Sequence, residues 1–337
     1  MTVYSAGVGA TVDESKAHSP VRDSATVLNA ADRARIVNGA LRLLQSAYVF
    51  PQVAAKMDET IRDQLAKGAY DSAVEPSTFA YLLTRDLQQV SGDKHIHVFY
   101  SKSPRSDPGT RPDEPGPQAR LESERKMNFG FQSLGVLPGN IGYLDLRMFS
   151  GLSEADDTAV AAMEVLANTD ALIIDLRNNG GGSPHMIDLL ASYLFDGVVH
   201  LNDFYLRQGD RTVQFFTAAE VRGRRYGVSK PVFILTSHRT FSGAEEFAYD
   251  LQVLKRATIV GETTGGGANP GSPRWINEHF RIWVPHGTAV NPVTKNNWEG
   301  TGVEPDVKVD APQALEAAQA EALKRLKEKR QPGTTQK

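Results

Sequence analysis

Ser242 lies in SHRTFSGAEEFAYDL, residues 237–251, where an apolar run gives way to an amphipathic one. The preceding PVFILTS has the composition of a buried strand, and Phe247, Leu251 and Leu254 fall on one helical face after it. A serine at a strand-to-helix junction can raise its hydroxyl above a sheet. Its own N–H, or that of Gly243, then lies at the positive end of a helix. The same spacing also reads as a capping box, with Ser242 as N-cap and Glu245 at the third helical position. Nucleophile and cap share one geometry.

Three further stretches carry residues suited to chemistry. DLRNNGGG, Asp175–Gly182, puts three glycines after an apolar strand and before a helix. Such a turn lets backbone approach a neighbour closely. Neither GxGxxG nor the Lys-Ser/Thr of a P-loop is present. An ordinary tight turn and a donor turn for an oxyanion both fit, the latter through Gly180 or Gly181. In SGDKHIHVFYS, His95 and His97 are two apart and would share a strand face. Imidazole titrates near neutrality, which suits a general base. Two histidines without HExxH or a third ligand at ligand spacing do not make a metal site, and no metal is expected. In NNWEGTGVEPDVKV, residues 296–309, Glu299 stands in a glycine-rich loop beside Trp298. An acid there could orient a histidine or position a substrate; a surface turn is the plainer reading.

These groups need elements to hold them. The 337 residues exceed a usual single domain, and 40% hydrophobic with 23% charged content is that of a globular chain. A net charge of −3 gives no general attraction to nucleic acid. No apolar stretch is long enough for a membrane span. Without cysteine, disulfides, thiolate metal sites and a Cys nucleophile are excluded, and the redox compartment stays open. Residues 1–27 read as a disordered leader lacking the apolar region of a secretory signal. That fits a cytoplasmic chain as written, or a secreted or periplasmic one whose signal was removed.

Residues 28–100 show three helical patterns and then a strand beginning at His95, the sign of a small N-terminal helical domain. Residues 101–125 are rich in proline and charge and read as a linker or loop. Over 126–311 strands alternate with helices, with a hairpin around Pro138-Gly139-Asn140, so an α/β (α+β) core with a mixed crossover sheet is expected. Residues 312–337 read as a terminal helix and tail.

In order along the chain, YVFP (48–51), GDKHIHV (92–98), LPGNIGYLDL (137–146), IDLRNNGGG (174–182), LTSHRTFSGAEEFAYDLQ (235–252), IVGETTGGGA (259–268) and NNWEGTGVEPDV (296–307) resemble the C-terminal processing, or tail-specific, serine peptidases. The likeness is strongest to the branch of interphotoreceptor retinoid-binding protein and to the tricorn protease core. It implies Ser242 as nucleophile and an oxyanion hole from Gly243 with Gly180 or Gly181. Many members use a Ser–Lys dyad. The matching position in this chain is Gly267, so the simple dyad is ruled out. The tricorn-like branch uses a Ser–His–Ser–Glu tetrad, which implies His95 as general base and Glu299 as the acid. Lys94 occupies the place of the serine that precedes the histidine in that branch, leaving Asp93 or a carbonyl to orient the imidazole, with Lys94 itself a candidate support. The PDZ domain of many relatives is absent, and the Pro-rich loop at 104–117 lies where it would be inserted. The implied reaction is peptide hydrolysis through an acyl-enzyme, without cofactor, on a peptide or protein substrate. Tail-specific relatives engage the substrate C-terminus, for which Arg222, Arg224 and Arg225 are candidate carboxylate partners, although a solvated surface loop is the plainer reading of that stretch. The retinoid-binding branch implies the alternative of a non-catalytic protein holding a hydrophobic ligand such as a retinoid or fatty acid.

Overall fold

The computed structural model describes residues 27–104 and 116–330. The expected leader up to residue 26, residues 105–115 of the Pro-rich segment, and residues 331–337 lie outside them. Helices α1 (Ala30–Ala47), α2 (Pro51–Ala66) and α3 (Pro76–Ser91) come first, then strand β1 (His97–Tyr100) and helix α4 (Pro117–Lys126). The hairpin β2 (Phe131–Leu137) and β3 (Ile141–Leu146) follows, then α5 (Ala155–Leu166), β4 (Ala171–Asp175) and α6 (Pro184–Leu194). Strands β5 (His200–Leu206) and β6 (Arg211–Phe216) precede β7 (Val232–Thr236), α7 (Gly243–Val253) and β8 (Thr258–Gly261). The chain closes with β9 (Gly271–Trp275), β10 (Phe280–Pro285), β11 (Gly287–Val290), β12 (Val307–Lys308) and α8 (Ala314–Arg330).

The central sheet has the order β12-β8-β7-β4-β3-β2, parallel throughout except for the antiparallel β2–β3 hairpin. Its inner strands are apolar at nearly every position because both faces are covered. On one face Leu172, Ile174, Val232, Ile234 and Ile259 pack in the core shared with α5, α6 and α7. On the other, Ala171, Ile173, Phe233, Leu235 and Val260 meet α8, which presents Ala314, Ala318, Ala322 and Leu326 at four-residue spacing. Strands β7 and β4 therefore end side by side, and the loops leaving them carry Ser242 and the Asn179–Gly182 turn.

A second core contains α1, α2 and α3. It is completed by β1 and by Phe280, Ile282 and Val284 of β10, since the strands pair in the order β1-β10-β9. This pairing joins residues 97–100 to 280–283 and fixes the turn before β1 against the larger core. The third sheet, β11-β5-β6, was not anticipated from the sequence. Two expectations are corrected. The strand begins at His97, so His95 sits in the preceding turn and does not share a strand face with His97. Pro117–Lys126, all but its last residue inside the linker expected over 101–125, is helical, with proline at its first position and basic residues in its last turn.

Ile234 is fully buried at the centre of β7. Ile234→Ala should lower unfolding free energy by about 2–5 kcal/mol, read from the urea midpoint. An unchanged midpoint would contradict a central, close-packed place for β7 in the sheet.

Candidate active site

Ser242 is the N-cap of α7 and has a positive φ, with φ 56 and ψ −125. For a residue with a β-carbon this conformation is costly, roughly 1–3 kcal/mol, and must be imposed by its surroundings. The Ser242 N–H donates to Glu245 Oε2 at 2.8 Å. Glu245 is fully buried and also accepts from Thr264 Oγ1, Gly266 N–H and Gly267 N–H. Burial raises its pKa on balance, with these four donors pulling against it. One carboxyl group thus fastens the serine turn to the glycine loop after β8. Its signal in the sequence was the capping box; the grip on residues 264–267 had none.

The Ser242 hydroxyl lies 3.0 Å from His95 Nε2. The imidazole packs on the ring of Phe241, with centroids 4.7 Å apart. Asp93 Oδ1 accepts the backbone N–H of His95 at 2.9 Å and stands 3.8 Å from His95 Nδ1. Asp93 is buried, and its other oxygen accepts from Tyr48 Oη at 3.1 Å and Asn269 Nδ2 at 2.9 Å. The helical region thus delivers both imidazole and aspartate, with Tyr48 at the end of α1 holding the latter. Burial lowers the His95 pKa, and the charge of Asp93 partly opposes this.

Glu299 joins the same cluster. Single ligand-type atoms of Asp93, His95 and Glu299 all lie within 4.8 Å of one another. Glu299 Oε2 accepts the Ala268 N–H, while Oε1 and His95 Nδ1 are buried without a hydrogen-bond partner. Burial, and next the charge of Asp93, raise the Glu299 pKa to about 8. Lys94, by contrast, turns away from the imidazole and donates through Nζ to the Gly265 carbonyl.

Position 267 explains the missing lysine. A β-carbon on Gly267 would lie 2.4 Å from the Phe241 ring and 2.7 Å from His95 Cε1. The histidine ring fills the space in which a side chain at 267 would begin. Trp298 Nε1 donates to the Gly267 carbonyl at 2.7 Å and completes the fixing of this loop.

The glycine turn after β4 lies directly against the serine. A β-carbon on Gly181 would fall 2.7 Å from Gly243 N and 2.9 Å from Ser242 Cβ, so this contact requires glycine. The Gly181 N–H donates to Asn179 Oδ1 at 2.8 Å, and Gly180 is exposed with open space around it. Gly243, first residue of α7, has an N–H with no intrahelical acceptor. Gly182, not singled out from the sequence, lines the cleft beside Ser242 and Gly243. The three arginines considered for a substrate carboxylate are engaged elsewhere. Arg222 pairs with Asp157, Arg224 with Glu164, and Arg225 donates to the carbonyls of Phe195 and Ala219. His238 is likewise remote in role, paired with Glu262 at the surface.

Gly267→Ala should displace His95 or Phe241 and slow reaction of Ser242 with an activated phosphonate on the order of 10²-fold. An unchanged rate in a folded variant would contradict the steric reading. Glu299 binds its proton more tightly folded than unfolded. Its stabilising contribution is therefore complete below the ordinary 4.5 and is lost as pH rises through about 8. Glu299→Gln cannot ionise, so its Tm should gain on that of the unaltered protein across that range. Parallel Tm curves would refute the shift.

Residues 140–309, half of the chain, match peptidase family S41, and residues 26–128 match the N-terminal domain of Peptidase_S41 in eukaryotic IRBP. The chain is 30% identical to carboxyl-terminal-processing peptidase 2, chloroplastic, of Arabidopsis thaliana, over 45% of its own length and 30% of that protein. It is 26% identical to the carboxy-terminal-processing protease of Bartonella bacilliformis, over 52% of its own length and 40% of the relative. It thus spans less than half the length of these curated relatives. The solved photosystem II D1 C-terminal processing protease shares the fold, with a TM-score of 0.51 at 15% identity over 87% of this chain and 96% of that one. The chain belongs to peptidase family S41.

Proposed function

We propose that this protein is a serine peptidase of the carboxy-terminal processing kind, cleaving peptide bonds through an acyl-enzyme. The observation that carries the reading is the 3.0 Å contact between His95 Nε2 and Ser242 Oγ, beside an available helix N-terminus. His95 takes the serine proton as Oγ attacks the carbonyl, and returns it to the leaving amine. The lowered pKa keeps the imidazole unprotonated at neutral pH, as a base must be. Asp93 holds the turn that carries His95. Asp93 flanks the imidazole and offsets the positive charge it acquires, while Glu299, its proton held up to about 8, stands beside it as a neutral carboxyl at neutral pH. The developing oxyanion is received by the Gly243 N–H together with that of Gly180 or Gly182, since Asn179 already takes the Gly181 N–H, and losing one such donor costs roughly 10²–10³ in turnover.

A hydrophobic-ligand role is less well supported at this site. The cleft beside Ser242 has a volume of about 70 Å³. Sites for drug-sized ligands typically have roughly 300–1,000 Å³.

Treatment with a fluorophosphonate, followed by mass spectrometry, tests the reading. The adduct should form on Ser242, vanish in Ser242→Ala, and slow by about 10²–10⁴-fold in His95→Ala. A folded protein that takes no label, or takes it with His95 removed at full rate, would sink the mechanism. Binding of a fluorescent retinoid or fatty acid would then become the reading to pursue.

A further inference from the structure

The cleft beside Ser242 ends on a carboxyl group that the proposed mechanism does not use. Ser242, Glu246 and Asp250 are four residues apart and so share one face of α7. Glu246 lines the cleft together with Ser242, Gly243, Phe204, Pro270 and Trp298. It is 3% exposed, and the one described hydrogen bond to its carboxyl group is from Asn202 Nδ2 to Oε1 at 3.3 Å. Beneath it, Asp250 is 2% exposed; one oxygen accepts from Asn291 Nδ2 at 3.0 Å and the other is buried without a partner. Asp188 of α6 adds a third carboxyl with a buried, unpartnered oxygen. No cation among the described residues acts on Glu246 or Asp250. Burial, uncompensated by positive charge, pushes Glu246 up to about 8 and Asp250 well above the ordinary carboxyl range.

Unpaired buried carboxyls are costly, because desolvation is not offset by an opposite charge. In this protein Glu246 lines an open cleft, with Asp250 buried one helical turn behind it. The drop from Ser242 to Glu246 is one helical turn, about 5.4 Å. Phe204, Pro270 and Trp298 make the walls apolar. A side chain entering from the acyl position at Ser242 would need an aliphatic stem of about four carbons and a compact cation at its tip, which describes lysine. We propose that this cleft is the pocket for the residue on the acyl side of the scissile bond, and that it selects lysine through Glu246. The inference rests on the peptidase reading above.

The test uses two peptidyl diphenyl phosphonates, one with a lysine and one with a norleucine side chain at that position. Ser242 Oγ forms the bond to phosphorus and phenoxide leaves, the serine proton passing through His95 to phenoxide. A fluorophosphonate without side-chain preference reports on the nucleophile separately. The lysine probe should react about tenfold or more faster than norleucine, and Glu246→Gln should bring the ratio near unity. Each ratio is internal to one protein, so a general loss of reactivity in the variant cancels. Norleucine reacting as fast as lysine overturns the inference, as does a ratio unchanged by Glu246→Gln. Fluorophosphonate labelling with neither peptidyl probe reacting overturns the pocket while leaving the nucleophile intact. Failure of all three probes removes the peptidase reading and this inference together.

Discussion

The His95 ring can stand where it does only because position 267 has no side chain. That steric exclusion sets the character of the site. A β-carbon at 267 would collide with both His95 and the Phe241 ring beneath it. A side chain reaching toward Ser242 from the loop after β8 and one reaching it from the turn before β1 therefore compete for one volume. In this chain the second has it. The rest of the architecture serves that placement. The pairing of β1 with β10 couples the helical region to the larger core, and Tyr48 and Asn269, one from each, converge on Asp93.

Two buried glutamates near the serine show how donors decide what burial does. Glu245 receives four hydrogen bonds, three of them from backbone N–H groups, and acts as a fixed acceptor binding two loops together. Glu299 receives one from Ala268 and lies beside Asp93, so its proton is held up to about 8. Residue type is the same; donor count and neighbouring charge separate the roles. The strained backbone of Ser242 belongs to the same arrangement, because Glu245 grips its N–H from one side while the glycine turn closes on the other.

Much of this was legible from the sequence, where the signal was local. The apolar runs at 171–175 and 232–236, the hairpin at Pro138-Gly139-Asn140, and the helices before and after the core all follow from periodicity and turn chemistry. The segments β5, β6, β9, β10 and β11 escaped; β10 and β11 pair with strands far away in the chain, and the alternation is broken by Pro273 in β9 and Gly287 in β11. Ser242, His95, Asp93 and Glu299 were singled out, and they do come together. Lys94 was considered as support and instead ties down the Gly265 carbonyl. Gly182 and Glu246 were passed over, because a third glycine in a run and a second glutamate in a helix carry no pattern of their own. Only the fold shows which of them faces the cleft.

The direct measurement of the central claim is the protonation of His95 itself. Nitrogen-15 NMR of the histidine-labelled protein should show His95 neutral at neutral pH, with the proton on Nδ1 and bare Nε2 facing Ser242. Its pKa should lie below the ordinary 6.5, as burial requires, and the Nε2 signal should shift in Ser242→Ala. An imidazolium persisting above neutrality, a proton resident on Nε2, or a spectrum indifferent to loss of the serine hydroxyl would contradict a neutral base poised on Ser242.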